Sequence, residues 1–266
     1  MTLVPVSREI HANKKIRPRV SYEFARASGV LPLYGAEMGR AAGEYPVCFT
    51  RSAEGFFPGA LMAIEPGNNL FVALDGQWLG SYLPAVLRRG PFSLARVEET
   101  GDWVLCLDDT SDLISEDEGA PLFAEDGQAS PFLAQMSTFL ADLERSRLVT
   151  LAACNCLAAH GLLAPWELRV DAGGGNVKRI EGLFRLDEAK LNAVGAEALL
   201  ELRNAGALAI AYAHLFSLAK LPLIGRLADV HAQLEAQRKS MAKTELNLDH
   251  AFGIDQDDPF LFDFKK

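Results

Sequence analysis

The chain has 266 residues, 49% of them hydrophobic and 23% charged, with a formal net charge of -9. A chain this long buries roughly 70–75% of the surface that its unfolded form exposes, so a substantial core is expected and disorder is expected only at the ends. The acidic balance argues against sequence-independent nucleic-acid binding, which needs a surplus of Lys and Arg on some face to neutralise phosphate.

Met1 to Ser7 is too short for the apolar segment of a secretion signal, and Lys14, Lys15, Arg17 and Arg19 follow it. A cytoplasmic location is therefore expected, with residues 1–44 read as an extension packed on the core. From Tyr45 to about Leu107, short apolar runs separated by turn residues predict strands. Tyr45-Pro-Val-Cys-Phe49, Ala60-Leu-Met-Ala-Ile64 and Leu70-Phe-Val-Ala-Leu74 are the first three. Asp75-Gly76 supplies the positive backbone angles of a tight hairpin, with Trp78 on the return. A short helix over Ala85 to Arg89 stops at Gly90-Pro91, and a second hairpin pairs Ser93 to Val97 with Trp103 to Leu107.

The second half changes character at Ser130-Pro131, a capping serine before a proline suited to the first helical position. Phe132, Met136, Phe139 and Leu143 recur at helical spacing, and the apolar pattern continues to Gly161 as one helix or two. Gly173-Gly-Gly175 reads as a turn, Val177 to Arg185 as a strand or hairpin, and Asp187 as the cap of a short helix ending at Gly195. Ala196 to Ala219 reads as one core helix whose seam is Leu199, Leu202, Gly206, Ala209, Ala213 and Phe216. Pro222 must interrupt it, leaving an amphipathic helix from Leu223 to about Lys243 and a stretch, Asp255 to Phe264, that alternates acids with aromatics. That stretch is either a frayed end or a segment that docks Phe260, Phe262 and Phe264 on this or another molecule.

Two uncharged runs approach the length of a membrane span. Leu148 to Trp166 contains Asn155, His160, Gly161 and Pro165, and Asn204 to Ala219 contains His214 and is short of the roughly 20 apolar residues required. Both are read as buried helices, so no membrane span is expected. Cys48, Cys106, Cys154 and Cys156 do not form a disulfide framework in so long a chain and are expected as free, mostly buried thiols.

An ordered set of motifs carries a family likeness: Tyr45-Pro-Val-Cys-Phe49, Asn69-Leu-Phe71, Trp78 with Tyr82-Leu-Pro84, Leu87-Arg-Arg-Gly-Pro-Phe92, Gly182-Leu183 before Asp187-Glu188, and Tyr212-Ala-His-Leu-Phe-Ser-Leu218. In order and spacing these resemble the SapC family of bacterial proteins, over roughly Tyr22 to Leu218. The family is named for a protein associated with surface-layer genes, and its members often sit beside genes for outer-membrane receptors and tryptophan-halogenase-like enzymes. The resemblance implies an accessory role without specifying a reaction. An unrelated peptide-import permease shares the name, and this chain lacks the several spans such a permease requires.

Chemistry-bearing residues each admit a plainer reading. Cys154-x-Cys156-x3-His160 invites zinc, but on a helix the two cysteines lie about 200° apart, so no closed site forms and no metal is expected. The acidic run Asp108 to Glu118 can bind calcium or supply a carboxylate pair for acid-base work, but it lacks the spacing of a calcium loop and reads more plainly as a solvated loop; Gly173-Gly-Gly175 lacks the companions of a phosphate cradle. Arg88 and Arg89 beside Trp78, Tyr82 and Phe92 can hold a carboxylate or a phosphate while the rings stack on a planar ligand; the plainer role is tying down the hairpin, with the aromatics as core. His214, near Tyr212, is either a general base or a buried histidine satisfied by hydrogen bonds. His11, His231 and His250 sit in terminal or polar contexts, and neither Gly-x-Ser-x-Gly nor His-Glu-x-x-His occurs.

The expectation is an α+β fold, a mainly antiparallel sheet in the N-terminal half packed against a helical C-terminal half. Residues 45–221 form the family-like domain and 222–266 a helix and acidic-aromatic segment. The expected function is a non-enzymatic accessory or binding protein without cofactor, whose partner is another protein, a second copy or a small planar acid. The competing class is a small-molecule enzyme or ligand sensor with a pocket between sheet and helices, the enzyme using His214 or the acidic loop together with Arg88 or Arg89.

Overall fold

The computed structural model describes residues 2–98, 100–171 and 177–251. In chain order the strands are β1 (Leu3–Pro5), β2 (Lys15–Ile16), β3 (Val30–Pro32), β4 (Val47–Ser52), β5 (Gly55–Leu61), β6 (Phe92–Arg96), β7 (Trp103–Asp108), β8 (Ile114–Ser115), β9 (Ala120–Pro121), β10 (Leu163–Asp171) and β11 (Val177–Leu186). The helices are α1 (Arg8–His11), α2 (Met38–Glu44), α3 (Ala85–Arg88), α4 (Pro131–Ala159), α5 (Glu188–Asn192), α6 (Ala196–Asn204), α7 (Ala207–Ser217) and α8 (Leu221–Ala251). The fold is α+β, with antiparallel sheets and helices concentrated toward the end of the chain.

The main sheet runs β10-β11-β4-β5-β3, antiparallel throughout. Val47, Cys48 and Phe49 are buried on both faces of β4, because α7 packs against β4 and α4 lies across β5. Between β4 and β11 the ladder consists of one pair, Phe184 opposite Phe49. Where those strands diverge, α7 supplies the missing partners. The Val47 amide donates to Ser217 Oγ at 2.8 Å, its carbonyl accepts from His214 Nδ1 at 2.8 Å, and the Leu186 amide donates to His214 Nε2 at 3.2 Å. Buried backbone groups must be paired, so two helix side chains here do the work of a ladder.

A second core lies under the sheet β1-β7-β6 and contains Phe92, Leu107, Leu122, Leu133 and Leu140. Phe132, Met136, Phe139 and Leu143 of α4 pack against it, while Ala153, Cys154 and Leu157 of the same helix enter the main core. One 29-residue helix, roughly 43 Å long, therefore joins both cores. Ser130 caps it by accepting from the Leu133 amide at 3.2 Å, and Pro131 occupies the first turn as expected. Residues 2–44 contribute β1, β2 and β3 and also Leu31, Leu33 and Met38 to the main core.

The structure departs from the sequence reading in five places. Leu70 to Leu74 is not a strand: Asn69 takes the Phe71 amide at 3.0 Å and donates to the Ala25 carbonyl at 3.1 Å, leaving one bridge between Val72 and Trp78. The expected turn at Asp75-Gly76 is present, with Gly76 at φ 84°. The apolar run after Leu148 leaves helix at Ala159, turns at Gly161 with φ 66°, and becomes β10 from Leu163, an outer strand where Pro165 is tolerated. Ala196 to Ala219 is two helices, because Gly206 adopts φ 71° between them. The buried stripe of α7 is Ala207, Ile210, Ala211, His214 and Ser217, while Leu199 and Phe216 of the expected seam are 44% and 75% exposed. His11 and His231, expected in polar contexts, are buried at 0% and 3% exposure.

Pro222 does mark a break: a 3-10 turn over Leu218–Lys220 separates α7 from α8. By length and composition alone, the helical run Ala207–Met241 is long and apolar enough to cross a membrane. Its inward face is the one that carries His214 and Ser217 against the sheet.

Replacing Gly206 by Ala meets no neighbour within 4 Å but forces a side chain into left-handed backbone. Urea unfolding of Gly206→Ala is expected to show a loss of about 1 kcal/mol with an unchanged denaturant slope.

Candidate functional site

A surface cleft grows from a buried carboxylate. Tyr34-Gly-Ala-Glu37 forms a 3-10 turn just before α2, and Glu37 is only 6% exposed. Its Oε1 accepts from the Tyr34 amide at 3.0 Å, and its Oε2 accepts from Tyr82 Oη at 2.7 Å and the Ala85 amide at 2.8 Å. Three donors replace the water that burial removes, which is what a buried charge requires. One side chain thereby ties the turn before α2 to the first residue of α3. α4 holds the same turn from below, with Thr150 Oγ1 accepting from the Gly35 amide at 2.7 Å.

Pro84 starts α3, and its single turn carries Arg88 to the rim. The Arg88 guanidinium lies 5.7 Å from the Tyr82 ring centroid and 5.5 Å from that of Phe139, and donates to Tyr82 Oη at 3.2 Å. Tyr82 Oη thus accepts from Arg88 while donating to Glu37. Burial and the bond to Glu37 push its phenol up to about 12, so it stays protonated as the link between them.

The cleft above this network has a volume near 310 Å³ and is lined chiefly by Tyr34, Arg40, Tyr82, Arg88, Phe139 and Leu143. A neighbouring cavity of about 480 Å³ shares Ala36, Asp142 and Ser146 with it and continues past Val149 to Ala209 and Ile210. Together they form a trench along α4. Three arginines, Arg40, Arg88 and Arg145, face two carboxylates there. Of those, Glu37 is spent on its three donors and Asp142 on Arg145 at 2.7 Å. The rim is cationic in a chain that is acidic overall.

The residues singled out from sequence separate into three places. Tyr82 and Arg88 meet in the cleft. Trp78 lies beneath, stacked on Phe71 at 6.0 Å, its Nε1 donating to the Tyr82 carbonyl at 3.1 Å and to Tyr45 Oη at 3.2 Å. Arg89 is half-buried on the side of Tyr34 and does not line the cleft. His214 is fully buried against Phe49 and Trp166, and Tyr212 faces outward from the same helix, stacked on Phe216 at 6.4 Å. Phe260, Phe262 and Phe264 lie outside the described residues, as does Gly173-Gly-Gly175.

Sequence reasoning missed Glu37, Arg40 and Tyr34. The spacing Tyr34-x-x-Glu37 is that of a capping box, whose usual first residue is Ser or Thr. Phe139 was legible as part of a buried stripe, though not as the ring beneath an arginine.

The other candidates are committed elsewhere. Because the Leu186 amide donates to His214 Nε2, the ring proton resides on Nδ1 and points at the Val47 carbonyl. Burial drives this histidine down to about 4, so the ring is neutral with both nitrogens in use. Burial also pushes Cys48 and Cys154 up to about 12. His160 pairs with Glu201 at 2.9 Å, and no group of three or more metal-ligating side chains occurs among the described residues. Acids of the Asp108 to Glu118 run face basic groups near the start of the chain: Glu116 with Lys14 at 2.7 Å, Asp109 with His11 at 3.4 Å, and Glu118 with Arg17 at 3.5 Å.

A family model described as SapC matches residues 6–223 of the chain. No curated protein and no solved structure matches it.

The depressed value of His214 makes a pH prediction. An unfolded histidine titrates near 6.5, so between about 6.5 and 4 the unfolded chain binds a proton that the folded one does not. Stability is fully present above that window and falls as pH drops through it, by on the order of 3 kcal/mol. Urea melts at stepped pH values should show this slope in the native sequence and a shallower one in His214→Asn.

Proposed function

Because the chain belongs to the SapC family across residues 6–223, we propose that it is a non-enzymatic accessory or binding protein of the cytoplasm that uses the α4 trench to hold an anionic, ring-bearing ligand. The observation that carries this reading is the Arg88–Tyr82–Glu37 chain at the floor and rim of the cleft. A guanidinium held over two rings, with Arg40 beside it, offers charge and a flat apolar face to a carboxylate attached to a ring.

The same geometry favours binding over catalysis. A general base needs a free lone pair within reach of substrate, whereas both His214 nitrogens and both Glu37 oxygens already accept or donate hydrogen bonds within the fold. The buried thiols are held protonated and lie away from the cleft. In this reading the apolar helices pack on the sheet and do not cross a bilayer.

Saturation-transfer NMR with 2-naphthoate tests the proposal, with 2-naphthol as the uncharged control. The carboxylate is expected to bind the native chain in preference to the phenol, and Arg88→Ala is expected to weaken it about tenfold, the effect of losing roughly 1.4 kcal/mol. Equal binding of acid and phenol, or indifference to Arg88, rules the reading out.

A further inference from the structure

The trench is cationic at one end and apolar at the other. Its first cavity, near 310 Å³, presents Arg40 and Arg88 beside the rings of Tyr82 and Phe139, and neither arginine has an ion-pair partner among the described residues. The second, near 480 Å³, is walled by Val149, Ala153, Ala205, Gly206, Ala209 and Ile210. α7, which supplies part of that wall, contains no Asp, Glu, Lys or Arg, and Val149 opposite it is 60% exposed. The polar groups lining the second cavity are already engaged. Thr150 Oγ1 accepts from the Gly35 amide at 2.7 Å and donates to the Ser146 carbonyl at 2.5 Å. Ser146 Oγ accepts from the Ala36 amide at 3.4 Å, and Arg145 is held by Asp142 at 2.7 Å.

Resting on the binding function proposed above, we infer that the ligand is an amphiphilic carboxylic acid. Its carboxylate sits at Arg88 and Arg40, its ring lies against Phe139 and Tyr82, and an apolar arm continues along α4 into the second cavity. The two cavities share Ala36, Asp142 and Ser146, so one molecule passes from one to the other without leaving the trench. From Phe139 to Ala153 the helical floor advances about 21 Å, and a ring-bearing acid without an arm fills only its cationic end. The small wall residues keep the far end open: a Cβ built on Gly206 meets nothing within 4 Å. An alkyl arm covers the exposed apolar surface of Val149 and Ala209. A peptide is the poorer occupant, because each of its residues brings an amide and a carbonyl that need partners, and the second cavity has none to spare. Unpaired cations at one end only give the ligand its direction.

2-Naphthoate and its 6-methoxy, 6-butoxy and 6-octyloxy derivatives, kept below their micelle thresholds, test this by isothermal titration. The 6-position sends the chain away from the carboxylate along the long axis of the ring. In the native chain each added methylene is expected to tighten binding about threefold until the second cavity is full. Ala209→Trp fills that cavity from the α7 side, and Val149→Asn makes its exposed wall polar. Both are expected to diminish the gain with chain length while binding unsubstituted 2-naphthoate as the native chain does. Melting temperatures identify a variant that fails to fold, and the other then carries the test. Affinity indifferent to chain length overturns the inference, as does a gain undiminished in either folded variant. The outcomes also separate the two levels. If 2-naphthoate binding depends on Arg88 while the arms add nothing, the amphiphile assignment falls and the binding function stands. If 2-naphthoate ignores Arg88, both fall.

Discussion

The structure depends on two side chains of α7 that complete a sheet. β4 and β11 share a single ladder pair, and beyond it the polar groups of Val47 and the amide of Leu186 are buried without a strand to face. His214 and Ser217 take all three. Leaving any one unpaired would cost about 1–3 kcal/mol, a large share of the stability of an ordinary domain. The helix is therefore a component of the sheet as well as a cover for it. That role explains why a polar residue with both nitrogens engaged sits in the most apolar helix of the chain.

The cleft inherits its order from this arrangement. α7 packs on α2, and the turn leading into α2 carries Glu37, which in turn fixes Tyr82 and the start of α3. Arg88 is consequently held in place before any ligand arrives, stacked on rings from two different elements, Tyr82 and Phe139. Fixing a long flexible side chain beforehand removes about 0.5–1.5 kcal/mol from the ordering cost of binding. A surface arginine in such a setting is a prepared contact. α4 adds rigidity by joining both cores along one axis, so the floor of the trench is a helix anchored at both ends.

Much of the fold was legible in the sequence because its signals are local. The cap at Ser130, the stripe from Phe132 to Leu143, the hairpin around Gly101 and the α+β class follow from spacing and turn chemistry, and the family likeness follows from ordered motifs. Legibility ended where tertiary partners decide. Leu163 to Trp166 is apolar without alternation, so nothing in it distinguishes a strand from the preceding helix, and only pairing with β11 makes it one. Gly206 is a tolerable helix residue by composition, yet its backbone is left-handed here. The candidate site was half legible. Tyr82 and Arg88 stood out through the Arg-Arg-Gly-Pro motif, whereas Glu37 is an unremarkable acid until its three donors, 45 and 48 residues away for two of them, are brought to it.

Amide hydrogen exchange at Val47 and Leu186 near neutral pH tests the closure of the sheet most directly. If α7 completes the seam, both amides exchange only through global opening, as slowly as those of the β4–β5 ladder. Exchange of either amide through local opening, orders of magnitude faster than that ladder while the fold stays intact, contradicts the account.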